Sequence, residues 1–202
     1  MRMPEAAAIR IRQRLFDSAA RRRSHDEVLR AGRLALDSAA PDMDVELLVE
    51  AAETANTRLD HSLAERLART AVDAGGGIDA HLALMEAVQW QGRFEEVEAL
   101  ARLAAPLALS DGERARLAVI RSLNLFCGLG AFSDAERALN AAVATVHEPV
   151  ARDELTSALA QIAFLDGRHE RAVKLGTQVL ARAENRTYAR PLAAAAVAAG
   201  RR

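Results

Sequence analysis

The sequence predicts an all-α protein made of antiparallel helix pairs, and three observations carry that prediction. Half of the 202 residues are apolar but only 3% are aromatic. Ala supplies much of the apolar half, and Ala-rich, Gly-poor sequence favours helix. No alternating apolar and polar run of strand length interrupts it. Finally, a short frame recurs: a small residue, an aromatic or His two positions on, and a small apolar residue at five. It stands at Gly92-x-Phe94-x-x-Val97, Gly130-x-Phe132-x-x-Ala135 and Gly167-x-His169-x-x-Ala172. Weaker copies are Leu59-x-His61-x-x-Ala64 and Arg23-x-His25-x-x-Val28.

The frame describes a tight turn between two helices. Gly admits φ > 0 at the turn, so Gly130 and Gly167 are expected there. Phe94 and Phe132 are expected to be buried as wedges between the helices, and a short side chain at 97 lets them approach.

Taken in order, residues 5–22 read as a helix with Ala8, Ile11, Leu15 and Ala19 on one face. Ser24-x-x-Glu27 is a capping box opening a helix at 25–39, which the Ala40-Pro41-Asp42 break ends. The helix at 43–58 carries Leu47, Leu48, Ala51, Ala52 and Ala55. Asp60 and Ser62 cap the next, which runs to Gly75-Gly76-Gly77. Helices at 78–91 and 93–105 follow, the second stopped by Pro106. Ser110-x-x-Glu113 opens a long helix over 111–129, and Ser133-x-x-Glu136 opens 133–146. Pro149 suits the first turn of a helix ending near Asp166. Helix 168–183 and a last one from about 187 complete the chain.

Treating Arg23, Leu59, Gly92, Gly130, Gly167 and Gly200 as equivalent gives separations of 36, 33, 38, 37 and 33. A helix-turn-helix unit with a period of about 34 is the tetratricopeptide signature. The expected architecture is a tetratricopeptide-like α-solenoid of about five pairs in a right-handed superhelix, forming one domain over 1–202. Within it, 1–42 is an N-terminal helix pair, 43–186 holds four core repeats, and 187–202 is an unpaired terminal helix. Gly200 falls where a sixth repeat turns into its second helix, two residues before the end. A fragment of a longer array, or an end completed by a partner, is the expectation that follows.

Composition narrows the function classes. The 27 basic residues nearly balance the 28 acidic ones, which leaves no basic footprint for nucleic acid or anionic lipid. All the basic residues but Lys174 are Arg, a bias that makes abundant Arg weak evidence for an Arg-specific role. The single Cys127 excludes an internal disulfide, and no apolar run reaches the roughly 20 residues of a membrane span. A cytoplasmic protein is expected.

Four stretches resemble the helical-repeat arm of large ATP-dependent LuxR-type transcription regulators of actinobacteria. They are Arg30-Ala-Gly-Arg-Leu-Ala-Leu-Asp-Ser38, His61-Ser-Leu-Ala-Glu-Arg-Leu-Ala-Arg69, Trp90-Gln-Gly-Arg-Phe-Glu-Glu96 and Arg121-Ser-Leu-Asn-Leu-Phe-Cys-Gly-Leu-Gly130. The resemblance implies an arm that receives an inducer or partner and controls self-association. In that family a nucleotide-binding module precedes the arm and a DNA-reading domain follows it. This sequence has no Gly-x-x-x-x-Gly-Lys-Ser/Thr phosphate loop, since Ile78-Asp79 follows the three glycines. It also has no C-terminal DNA-reading helix pair, so neither ATP nor DNA binding carries over.

The candidate sites are sparse. Three of the five histidines (25, 61 and 169) occupy the Phe94 position of the frame, so they read as turn-packing residues rather than converging metal ligands. Cys127 sits among Leu123, Leu125 and Phe126 and is expected to be buried. No catalytic set converges, so no enzyme and no cofactor is expected. In a solenoid the first helix of each repeat lines the inner surface, which places Glu53, Asn56, Glu86, Gln89, Trp90, Asn124, Cys127, Gln161 and Phe164 on or near a groove. Four amides there suit an extended peptide backbone, with Trp90 and Phe164 as apolar anchors. The plainer reading is a solvated helix face with Trp90 packed between repeats.

The expected function is the sensor or protein-interaction arm of a LuxR-type regulator, binding a protein, peptide or small-molecule inducer. The alternative is a free-standing repeat adaptor for a peptide or protein. The helix after Pro191 has no charge until Arg201. An all-round apolar helix is normally buried, so a homodimer through Leu192, Ala194 and Val197 is expected.

Overall fold

The computed structural model describes residues 24–38 and 44–181. Among these residues every regular element is helical. The α-helices are α1 (His25–Ser38), α2 (Val45–Thr57), α3 (His61–Asp73), α4 (Ile78–Trp90), α5 (Phe94–Ala104), α6 (Asp111–Leu123), α7 (Phe132–Thr145), α8 (Pro149–Leu165) and α9 (His169–Leu180). A 3₁₀ turn, Ala105–Leu107, follows α5, and a π-helical turn, Asn124–Gly128, follows α6. The helix expected at 5–22 and the terminal helix carrying Leu192, Ala194 and Val197 lie outside the described residues. None of the described helices is long and apolar enough to cross a membrane.

The recurring frame is a turn of fixed geometry. Gly92, Gly130 and Gly167 have φ of 78°, 64° and 76°, and Leu59 adopts 63° at the equivalent place. The residue after each closes the turn onto the helix just ended. Asp60 N donates to Ala55 O, Arg93 N to Val88 O and Arg168 N to Ala163 O, each five residues back. These are the bonds that satisfy the orphan carbonyls of a helix C-terminus. At Gly130 the closing bond runs from Ala131 N to Leu125 O, six residues back. The extra residue is absorbed by the π turn, where Leu129 N reaches Asn124 O. The long helix expected over 111–129 is therefore α-helical only to Leu123.

The chain divides into two compact units, with the boundary between Arg93 and Phe94. In the first, α2 and α3 form a pair, α1 packs on both, and α4 packs on both in turn. The apolar stripe read from the sequence is the core face of α2: Leu47, Leu48, Ala51, Ala52 and Ala55 are all buried. Leu67, Leu82 and Met85 are fully buried beside them, each contributing about 1.5–3 kcal/mol by leaving water. Asp44 and Asp60 cap α2 and α3, accepting from Leu47 N and Leu63 N.

In the second unit α6 packs against α7 and α8, and α9 pairs with α8. Its core joins Leu125, Phe126, Leu139, Val146, Leu155, Leu159 and Ile162. The Ser110 capping box is complete, with Glu113 N donating to Ser110 Oγ and Ser110 N to Glu113 Oε2. Asp111 ties the connection between α7 and α8 to the start of α6. Its Oδ2 accepts from His147 N at 2.6 Å and Glu148 N at 2.8 Å. The Arg114 guanidinium, helped by those two amides, holds the Asp111 carboxyl down to about 2.

Three local expectations are corrected. Phe132 is 51% exposed rather than buried, its ring lying at 4.7 Å on Phe126. Phe94 is half-buried and lies against Gly128 of the π turn, where any Cβ would clash with its ring. Helix α7 begins at Phe132 after Ala131 with no side-chain cap, so Ser133 and Glu136 form no capping box. Glu136 instead accepts from Arg168 at 2.9 Å and pairs with Arg171.

Candidate interaction surface

Helices α2 and α4 are the first helices of successive pairs, and 33 residues separate their turns at Leu59 and Gly92. That register aligns Glu46 with Asp79, Glu53 with Glu86, Asn56 with Gln89 and Thr57 with Trp90. At about 100° per residue, positions 46, 50, 53 and 57 fall in one stripe, opposite the buried stripe of α2. Helix α4 is buried nearly all round, through Ile78, Ala80, Leu82, Ala83, Leu84, Met85, Ala87 and Val88. Its two exposed positions, Asp79 and Trp90, lie on the same stripe as half-buried Glu86.

Trp90, the only tryptophan of the chain, is 67% exposed. It is not packed between repeats; its indole stacks on the His61 ring at 5.9 Å and 15°. A chain of polar contacts fixes that platform. Asn56 Nδ2 donates to Ala83 O at 2.9 Å, tying α2 to α4, so its Oδ1 is left to face His61 Nδ1 at 3.3 Å. A carbonyl-type oxygen can only accept, which assigns the imidazole proton to Nδ1.

Beside the platform, Glu65 of α3 gathers three donors. Arg93 reaches it at 2.5 Å, Arg69 at 2.8 Å and Gln91 Nε2 at 2.8 Å. The Arg93 bond is the main reason its carboxyl is held down to about 2, with Arg69 and Gln91 adding to it against partial burial. Gln91 also donates to His61 O and Ala87 O. The end of α4 is thereby held by side chains of α3, and Trp90 sits on a braced support.

The other residues expected in a groove are placed differently. Asn56 and Asn124 are 4% and 0% exposed, so their amides are committed inside the protein and do not offer themselves to a peptide. Asn124 Nδ2 donates to Phe94 O at 3.0 Å and Glu98 Oε1 at 3.2 Å, while its buried Oδ1 has no hydrogen-bond partner. Glu98 is itself buried and accepts from Arg121 at 2.9 Å, a pairing that a buried carboxylate requires. Cys127, which the sequence expects to be buried, lies in the π turn and is exposed. Gln89, Gln161 and Phe164 are half-buried, and Phe164 lies at 5.4 Å on His169. No group of three or more His, Cys, Asp or Glu suited to a metal occurs among the described residues.

His61 and Glu65 were not singled out by the sequence as supports of Trp90. The signal lies in the register: the His two residues past one turn meets the residue two before the next. A tertiary contact of that kind is visible only once the repeats are stacked.

These features define a class of fold, the tetratricopeptide-like α-solenoid. Among solved structures the chain is similar to a thermophilic TPR protein of Thermus thermophilus, with 21% identity and a TM-score of 0.65. The likeness covers 96% of this chain and 100% of that one. No family model matches the sequence, and no curated protein matches it.

Proposed function

We propose that this protein is a non-enzymatic interaction module that binds a peptide or a segment of another protein, with Trp90 as its anchor. The observation that carries the reading is the exposure of the sole Trp on a helix otherwise buried nearly all round. Leaving a large aromatic in water forgoes the burial it gains when a partner covers it. Trp is also among the residues on which binding energy concentrates. The brace of His61, Asn56 and Glu65 supports the same reading, because a preorganised anchor loses little freedom on binding. The tetratricopeptide-like fold is in keeping with an adaptor. The test is selection of peptides from a random display library on the 202-residue chain. Trp90→Ala is expected to weaken the selected peptides by tenfold or more, or about 1.4 kcal/mol, and Phe164→Ala to leave them unchanged. Equal binding by the Trp90 variant refutes the reading.

A finer reading is favoured by the four stretches that resemble the LuxR-type arm. It makes this module the receiver of an inducer for a transcription regulator. A small molecule that binds the folded state raises the melting temperature by mass action. A metabolite screen by thermal shift with no hit at all counts against an inducer.

A further inference from the structure

The geometry points to a second site in the first unit, a cavity along α1 that takes a small zwitterion by its two charged ends; it does not depend on Trp90. The cavity measures about 520 Å³ and lies between α1 and the turn that joins α2 to α3. Small-molecule sites typically measure about 300–1,000 Å³. Six charged side chains line it, three Asp and three Arg, and four of them pair off across it. Asp26 meets Arg58 at 2.5 Å, and Arg33 meets Asp60 at 3.5 Å. Both pairs run from α1 to the turn, and they draw off the partners that the other two groups would find on their own helix. Arg30 lies one turn after Asp26, and Asp37 one turn after Arg33.

Among the described residues the side chains of Arg30 and Asp37 hold no ion pair and no hydrogen bond. Both are exposed and both line the cavity, whereas Glu27, three residues before Arg30, does not line it. Positions 30, 34 and 37 follow the i, i+4, i+7 spacing of one helix face, so Leu34 stands between the two charges. Leu34 is half-buried, and Leu29, which also lines the cavity, is buried. The rise over seven residues sets Arg30 and Asp37 about 10 Å apart along α1. With three charges of each sign, the lining has no net charge to attract a simple ion. A guanidinium holds a carboxylate through paired hydrogen bonds, and the Asp37 carboxylate takes an ammonium group. The occupant that satisfies both carries the two groups about 10 Å apart across an apolar spacer. A peptide of three residues with free termini has that span, at about 3.3–3.6 Å per residue. It lies with its C-terminus at Arg30 and its N-terminus at Asp37.

The probe is the tripeptide Ala-Leu-Ala with free termini, titrated against the 202-residue chain by nuclear magnetic resonance beside its N-acetylated and C-amidated forms. Saturable binding of the free peptide is expected. Each capped form should bind about two- to fivefold more weakly, the range that losing one exposed ion pair gives. Arg30→Gln should weaken the free peptide by the same factor and leave the C-amidated form unchanged. Asp37→Asn should likewise weaken the free peptide and leave the N-acetylated form unchanged. Coupling of this kind assigns each terminus to its side chain, and a general loss of folding does not imitate it. Both substitutions fall at exposed positions, where stability usually changes little, and circular dichroism confirms that the variants are folded. No saturable binding of the free peptide overturns the site. Capped forms that bind as tightly as the free one overturn the zwitterion, as do variants that weaken all three forms alike.

Discussion

Leu59 occupies a backbone conformation that its side chain disfavours, and replacing it tests the turn geometry directly. Its φ is 63° and its side chain is 75% exposed, so there is little packing to lose. A non-glycine residue held in the left-handed region costs about 1–3 kcal/mol. Glycine relieves that strain but adds about 0.4–1 kcal/mol of unfolded-chain entropy. Comparing Leu59→Gly with Leu59→Ala cancels the lost side chain and leaves the backbone effect alone. The turn bonds from Leu59 N to Asn56 O and from Asp60 N to Ala55 O, both 2.9 Å, are main-chain and persist in both variants. The Gly variant is expected to be more stable than the Ala variant by about 1 kcal/mol, measured by urea denaturation. In melting temperature this amounts to about 2–4 °C for a chain of this size. At ordinary helical positions the order is reversed, with Gly worse by about 0.5–1 kcal/mol. A Gly variant no more stable than the Ala variant refutes the left-handed assignment and the equivalence of Leu59 with the glycine turns.

Gly128→Ala should lose about 1–3 kcal/mol, the usual cost of overpacking, because the new methyl clashes with the Phe94 ring. Combined with Phe94→Ala the two losses should sum to less than their separate values, and strict additivity speaks against the contact. Glu65 titrates near 2 in the folded protein against 4.5 in an unperturbed chain. A depressed carboxyl stabilises the fold above the unfolded value and loses that contribution as pH falls through the folded one. Stability should therefore drop more steeply between pH 4.5 and about 2 in the native chain than in Glu65→Gln; parallel profiles sink the Arg93 and Arg69 assignment. The emission of Trp90 should be that of a solvated indole, readily quenched by acrylamide. A blue-shifted, protected emission is incompatible with its exposure.

Much of the fold was legible because it rests on local chemistry. The stripe of Leu47, Leu48, Ala51, Ala52 and Ala55 needs only a helical period to identify a buried face. The Ser110 and Glu113 capping box needs only a spacing of three, and the turn frame found even Leu59 without a glycine. What failed needed information from elsewhere in the chain. Ser133 and Glu136 have capping-box spacing, but Glu136 is taken by Arg168 and Arg171, some 32 residues or more away. Cys127 lies in an apolar sequence, yet it stands about 100° round the helix from buried Phe126 and is exposed. The register put Asn56 and Asn124 at the right helices but not at the right depth. Their partners are the carbonyls of Ala83 and Phe94, and main-chain acceptors leave no mark in a sequence. Trp90 stands out in the sequence as the sole indole, but whether it is covered depends on the neighbours of α4.

The π turn between Asn124 and Gly128 has a consequence for how such a chain can change length. A residue inserted into a helix normally rotates everything after it by about 100°, carrying the following apolar stripe out of the core. Here the surplus is wound into a single wider turn. The turn at Gly130 still closes, and α7 still presents Ala135 and Leu139, both 0% exposed. The helix acts as a slack length that is taken up before it reaches the next joint. Single-residue gains and losses within 124–128 are thus among the few indels this architecture absorbs without re-pairing its helices. Spacings of 33, 37 and 38 residues between the turns show how unequal units can share one joint.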